Sequence, residues 1–364
     1  MFIVKGIKII KSSIYILAMF TSNNVGKYLL FFSVLVVTSY VGNYFVNSLE
    51  ANNDDYELIK KYLLNDSPLY GFNRPKIWIH SKYEINARKW RDFYSRNTTD
   101  LNQPYLHLTI QTIINHCGND FNICLIDDDT FGKLIPSWDI NLATVPEPFK
   151  THYRNVGMLQ LLYYYGGMVL PNSLVCLKNL HSFYLESMSG GKPFICENNN
   201  HTSNNNSTKK LRFIPDMSII GCEKNDSTIK EMIEYVKGLN RNPHFSSEID
   251  FRGDISKWCI HAIDQGKMNI VLGQKIGVKN SKNNSIVLED LMEENDLDLA
   301  PDAVAVYIPA EEVLRRTKYQ WFAVLPRDQI IGSKLAISKY IRQSIMDSTD
   351  DFNKSSTIPS IISI

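Results

Sequence analysis

Between Pro75 and Ile126 the apolar pattern changes period twice, and that succession constrains the fold more than any other feature of the chain. Lys76-Ile77-Trp78-Ile79-His80, opened by Pro75, reads as a strand. Leu106 to Cys117 then carries Leu108, Ile110, Ile113 and Ile114 at helical spacing, and Phe121 to Ile126 is again a short apolar run. Strand, helix and strand in this order predict a parallel βαβ unit, which requires a buried sheet and a right-handed crossover. The expected body is therefore α/β with a mixed, mostly parallel sheet. A chain of 364 residues, 44% of them hydrophobic, can bury the core that such a sheet needs.

Directly after the second strand stand Asp127, Asp128 and Asp129. Ligands of open α/β sheets bind beyond the carboxyl ends of the strands, which makes this triple acid a site candidate. The same acids suit the start of a helix over Thr130 to Leu134, where they would accept free backbone amides. His152 to Tyr165 predicts a helix with Val156, Leu159, Leu161, Leu162 and Tyr163 on its apolar face, stopped by a left-handed cap at Gly166-Gly167. Met168-Val169-Leu170 continues as a short buried strand that Pro171 ends.

Further along, residues 198–208 (NNNHTSNNNST) form a polar low-complexity loop, and Phe213 to Cys222 is an apolar segment holding Asp216. Asp216 is either a site carboxylate or a turn cap after Pro215. Helices are expected at Ser227 to Leu239, Ile255 to Gln265 and Lys334 to Ile345, with strands at Val304 to Ile308 and Trp321 to Val324. Glu248, Asp250 and Asp254 sit in a hydrophilic patch that reads as a solvated loop. Trp78, Tyr163, Tyr164 and Tyr165 read as core rather than as a stacking platform.

Tyr28 to Val46 is a run of about 19 residues without a charge, close to the ~20 that cross a hydrocarbon core. Lys5, Lys8, Lys11 and Lys27 precede it and Glu50, Asp54 and Asp55 follow, so the expected arrangement is an uncleaved single-pass anchor with a cytosolic N-terminus, a cleaved signal sequence being the alternative because Gly42 and Asn43 weaken the distal end. The body would then lie on the lumenal or exterior side, where Asn97, Asn200, Asn225 and Asn283 open possible glycan acceptor triplets. Lys plus Arg total 39 against 38 for Asp plus Glu, which gives no basic field for nucleic acid. Six dispersed cysteines carry no metal-ligand spacing and read as buried thiols, with disulfides permitted by the even count.

The run LQLLYYYGGMVLPNSLVCL, Leu159 to Leu177, resembles the core motif of family 32 and capsular-polysaccharide-type glycosyltransferases, in which a helix ends in Tyr-x-x-Gly-Gly and an acidic DxD triplet follows a short strand. The resemblance covers roughly residues 75 to 240. It implies a glycosyltransferase type A (Rossmann-like) fold, a sugar-nucleotide donor, a glycan or glycoconjugate acceptor, and hexosyl transfer with retention. It also implies a divalent metal, Mn or Mg, on the donor diphosphate. Here the triplet falls on Pro171-Asn172-Ser173, so both metal-binding acids are replaced, and the acid and arginine of the preceding helix fall on Asn155 and Met158.

Three alternatives follow from that departure. Cations such as Arg154, Lys209, Lys210 or Arg212 replace the metal on the leaving diphosphate; or Asp216 and Asp127 hold it instead; or the fold serves as a binding or assembly module without catalysis. Asn172 and Ser173 are either donor contacts or a plain turn, and His80 either faces the nucleotide or is a satisfied core histidine. Asp216 and Asn172 are the catalytic candidates, with Asn172, Ser173, Arg154, His80 and Asp127 toward the donor. The expected organisation is a cytosolic segment 1–27, the anchor 28–46, a stem 47–73, a glycosyltransferase-like domain 74–330, and a C-terminal helix and tail 331–364.

Overall fold

A computed structural model describes residues 74–81, 103–136, 138–197, 214–241 and 248–355, all within one unit spanning 59–364. The expected anchor 28–46 and stem 47–73 lie outside the described residues, as do Lys209, Lys210, Arg212, Asn97 and Asn200. Among the described residues no helix is long and apolar enough to cross a membrane.

The βαβ unit forms as the pattern predicts: β1 (Lys76–His80), α1 (Pro104–Cys117) and β2 (Asn122–Ile126), with β1 and β2 parallel over their whole length. After α2 (Thr130–Leu134) and α3 (Phe149–Tyr165) comes β3 (Gly167–Val169), parallel to β1 on its other side. Next follow β4 (Leu174–Cys176), α4 (His181–Ser187), β5 (Phe194–Glu197), β6 (Pro215–Cys222), α5 (Ser227–Arg241), α6 (Glu248–Asp264) and β7 (Asn269–Val271). The six-stranded sheet has the order β2-β1-β3-β6-β5-β7. Strand β6 is antiparallel to both neighbours while the other strands share one direction, so the sheet is mixed and mostly parallel.

The remaining elements are α7 (Leu288–Met292), β8 (Ala305–Tyr307), α8 (Ala310–Arg315), α9 (Gln320–Ala323), α10 (Arg327–Gly332) and α11 (Ala336–Ser355). Strand β8 pairs antiparallel with β4 in a second, two-stranded sheet. One core lies between the main sheet and α3, α5 and α6, joining Trp78, Ile126, Phe131, Leu159, Ile220 and Phe251. Another gathers α1, the small sheet and the C-terminal helices around Leu108, Val175, Val306, Phe322 and Ile337.

Two stretches differ from expectation, each for a reason of period. Trp321 to Val324, expected as a strand, lies largely in α9: Phe322 and Ala323 are buried side by side while Trp321 is exposed, and a run this short does not reveal its period. The hydrophilic patch at 248–254 is the first part of α6, because Phe251, Ile255 and Cys259 recur every fourth residue and are all buried. Strands β4, β5 and β7 had no counterpart in the sequence reading; three or four residues each are too few to show alternation.

The diglycine is where the fold is tightest. The amide of Gly166 continues α3 to the carbonyl of Leu162 at 2.7 Å, but the residue takes φ 69° and ψ −172°, a region populated almost only by glycine and distinct from the expected left-handed cap. Gly167 follows at φ 99°, and a Cβ there would be driven into the carbonyl oxygen of Lys76 on the neighbouring strand. Trp78 Nε1 donates to the carbonyl of Gly166 at 3.0 Å, fixing the turn from inside the core. Replacement Gly167→Ala combines strain with a backbone clash and is expected to cost on the order of 3 kcal/mol. Urea unfolding of the full chain measures it; unchanged stability would contradict this close approach of β3 to β1.

Candidate functional site

Strand β1 lies between β2 on one side and β3 on the other, so the chain reverses its direction of travel across the sheet at β1. In open α/β sheets the crevice outside the carboxyl ends at such a switch point is where ligands bind. At that edge stand His80, closing β1, the acids following β2, and the Leu170-Pro171-Asn172 turn following β3. Strand β6, running the other way, opens there with Pro215 and Asp216.

Of the three consecutive acids, the structure selects Asp128 for this crevice. Cys124 and Ile126 pack into the core between the sheet and α3, and alternation carried one step beyond the strand puts Asp128 on the same face. Arg154, on the second turn of α3, donates Nε to Asp128 Oδ1 at 2.7 Å and Nη2 to Oδ2 at 2.6 Å, a bidentate clasp. His80 Nε2 lies 3.0 Å from the same Oδ1, and its ring stacks on Phe131 with centroids 5.8 Å apart. A second carboxylate meets the guanidinium: Glu147 Oε1 accepts from Nη1 at 3.2 Å, while its Oε2 accepts from the amide and hydroxyl of Thr151 in the first turn of α3.

Arg154 is buried and Asp128 partly so. Burial raises the carboxyl's pKa, yet the hydrogen bonds from Arg154 and His80, and the charges behind them, outweigh it and hold Asp128 well below the usual carboxylate range. Arg154 is therefore a charge already answered by two carboxylates rather than a cation waiting for a phosphate. His80 and Arg154, both site candidates from sequence, are brought together by Asp128, the middle acid of the candidate triplet.

The other candidates are placed differently. Asp127 is tied to the start of α2 instead: its Oδ1 accepts from the amide of Thr130 at 2.9 Å and the hydroxyl at 2.5 Å. Ser173 is buried with its hydroxyl donating to the carbonyl of Ile308 at 2.7 Å. The backbone carbonyl of Asn172 accepts from the hydroxyl of Thr109 on α1 at 2.5 Å, so α1 holds the turn in place. Asp216 is half-buried at the mouth of β6, where Oδ1 accepts from the amide of Ser218 at 2.8 Å. Its strand stands two places from β1 in the sheet order.

The residues at the triplet position do not fit a divalent metal. A hard cation wants anionic oxygens; Pro171 has no side-chain donor, and Ser173's hydroxyl is committed to Ile308. The two acids that could substitute are on different parts of the edge, Asp127 after β2 and Asp216 on β6, strands that stand three places apart in the sheet order. Among the described residues no group of three or more His, Cys, Asp or Glu side chains is placed to hold a metal ion.

A second charged pair at the same edge had no signal in the sequence. Glu197, closing β5, is fully buried; it accepts from Lys279 Nζ through Oε1 and from the amide of Gly273 through Oε2 at 3.0 Å. The pair ties the segment after β7 to the end of β5. Its members are 82 positions apart, so nothing local announces it.

No protein-family model matches the chain, and no curated protein matches it in sequence. Solved structures do align with it. The apo form of the glycosyltransferase GlyE of Streptococcus pneumoniae TIGR4 aligns at TM-score 0.36 and 10% identity, over 80% of this chain and 66% of that one. The PaToxG glycosyltransferase aligns at TM-score 0.33 and 11% identity, over 84% of this chain and 98% of that one. Mouse xyloside xylosyltransferase 1, in its apo form, aligns at TM-score 0.34 and 10% identity over 55% and 85%. The chain thus spans about two thirds of the length of GlyE.

The clasp makes a prediction with a definite sign. Arg154→Met would leave Asp128 with His80 alone, and a loss of ~3 kcal/mol is expected; in the double variant with Asp128→Asn the losses should add to less than their sum, since the partners are coupled. Because Asp128 is held below its unfolded value of ~3.9, its contribution is complete above pH ~4 and is lost as the pH falls further. Denaturant titrations of wild type and Asp128→Asn at stepped pH would show the wild type losing stability more steeply below pH ~4.

Proposed function

We propose that this chain is a glycosyltransferase-like protein that takes a sugar nucleotide into the crevice at the β1/β3 switch point and transfers a hexose, with retention, to a glycan or glycoconjugate acceptor. The observation that carries the reading is the polar crevice itself. His80, Asp128 and Arg154 are locked together at the carboxyl ends of β1 and β2, beside a turn held by α1, in a sheet whose reversal at β1 is a general ligand-binding feature. In this proposal Asn172 offers its side-chain amide to donor hydroxyls, and Asp216 marks the far wall of the same edge.

No step is assigned to a metal, because the triplet residues are unsuited to one. With Arg154 already paired, charge on a leaving diphosphate falls in this reading to Lys209, Lys210 and Arg212, which lie outside the described residues. A second reading, a sugar-nucleotide or glycan-binding module without turnover, draws support from Ser173 and Arg154, whose polar groups are bonded within the protein. The two readings share the crevice and differ in chemistry.

The experiment is a thermal-shift and calorimetric screen of the purified full-length chain against nucleoside diphosphates and their sugars, with and without Mn2+ or Mg2+, followed by donor hydrolysis and transfer assays. Binding with turnover is the expected result, and binding without turnover selects the second reading. Absence of any nucleotide binding across the panel would sink both. We further propose that residues 28–46 anchor the chain as a single span with the body lumenal or exterior. The chain should then resist alkaline extraction from membranes, and its body should be shielded from protease added on the cytosolic side.

A further inference from the structure

We propose that Cys117 and Cys176 form a disulfide when the folding chain meets a disulfide oxidant, locking the strand behind the candidate site to α1. All six cysteines are free and buried, and the sulfurs of these two lie 3.8 Å apart. Cys117 is the last residue of α1 and Cys176 the last of β4, so a bond between them would join two elements of secondary structure that are 59 positions apart in sequence.

The backbone on both sides is already fixed. The amide of Cys176 donates to the hydroxyl of Thr112 on α1 at 2.9 Å, and its carbonyl accepts from the hydroxyl of Ser344 on α11 at 2.5 Å. His116, next to Cys117, reaches the same Ser344 hydroxyl at 3.1 Å. Four residues before Cys176, the turn at Asn172 is held by Thr109 of the same helix. A disulfide would add a covalent attachment to the same helix and strand, four residues from a turn that borders the crevice.

The chemistry is two successive exchanges. One cysteine thiolate attacks a low-molecular-weight disulfide such as oxidised glutathione, expelling one small thiolate and leaving a mixed disulfide. The second cysteine then attacks the protein sulfur of that mixed disulfide and expels the other small thiolate. Two protein thiols become one disulfide, and two small thiols carry away the hydrogens. A bond of ~2.05 Å requires the sulfurs to close by about 1.8 Å from their 3.8 Å separation, with Cys176 giving up its 3.0 Å hydrogen bond to the carbonyl of Lys178. Burial raises the Cys176 thiol well above its ordinary value, and both cysteines are buried, so exchange belongs to folding or to local opening.

The proposal does not rest on the functional reading and is tested apart from it. Full-length protein is refolded with reduced or with oxidised glutathione, residual thiols are alkylated under denaturing conditions, and non-reduced peptides are mapped by mass. The oxidised sample should contain a Cys117–Cys176 peptide pair lacking two hydrogens, and should unfold ~5–10 °C higher, a shift that reductant reverses. In Cys176→Ser, and separately in Cys117→Ser, both the linked peptide and the oxidant-dependent shift should vanish. If both cysteines remain fully alkylated after oxidative refolding, or if the bridge maps to another pair, the proposal is overturned.

Discussion

Strand β3 is only three residues long, and the sheet cannot exist without it. Among the described residues it is what joins the parallel pair β1 and β2 to the half built from β6, β5 and β7. So short a strand cannot hold its place by hydrogen bonds alone. Its position is set from both ends: the Trp78 indole grips the carbonyl of Gly166, and the amide of Leu170 donates to the carbonyl of Trp78 at 2.9 Å. The lack of a side chain at Gly167 lets the backbone pass against Lys76, and at Gly166 against Lys224, where a Cβ would collide. The crevice inherits its geometry from this contact, because the turn that borders it begins where β3 ends.

That dependence explains which parts of the molecule were legible in the sequence. The diglycine, the βαβ unit and α3 were readable because each has a signal that is local: two glycines in a row, a change of period, an apolar stripe. The clasp was only half readable. Triple acids announced a site or a cap, and the structure gives two of them separate partners, Asp127 bonding to Thr130 at the start of α2 and Asp128 reaching Arg154. Strand alternation from Cys124 and Ile126 could have separated the two acids; the identity of Asp128's partner, 26 positions away, could not have come from it. Glu197 with Lys279 is the extreme case, since neither an isolated acid nor an isolated lysine signals burial. The fold of α6 shows the opposite limit, where a stripe of Phe251, Ile255 and Cys259 was present but masked by the charged residues around it.

The electrostatics of the clasp bear on what the crevice can do. Burying a guanidinium is costly unless its hydrogen bonds are met, and here two carboxylates meet them. The network therefore pins the end of β2 to α3 and presents His80 from β1 in a fixed orientation. It does not offer an open positive charge. A polyanionic ligand in this crevice would find its wall preorganised but would have to take its counter-charge from elsewhere in the chain.

Rigidity is the property that the surrounding contacts share. The Pro171-Asn172-Ser173 turn is held by Thr109 of α1 at one residue and by Ile308 beyond β8 at the next, so it is fastened to the core on the far side from the crevice. Preorganised polar groups cost no reorganisation when a ligand arrives, which favours geometrically selective binding. A proline, an amide and a buried hydroxyl stand at the end of β3 in a turn whose position is over-determined. The small sheet β4–β8 needs the same bracing, since the bond from Ser173 to Ile308 extends the pairing of its two strands. The bracing belongs to the fold first, and the crevice draws on it.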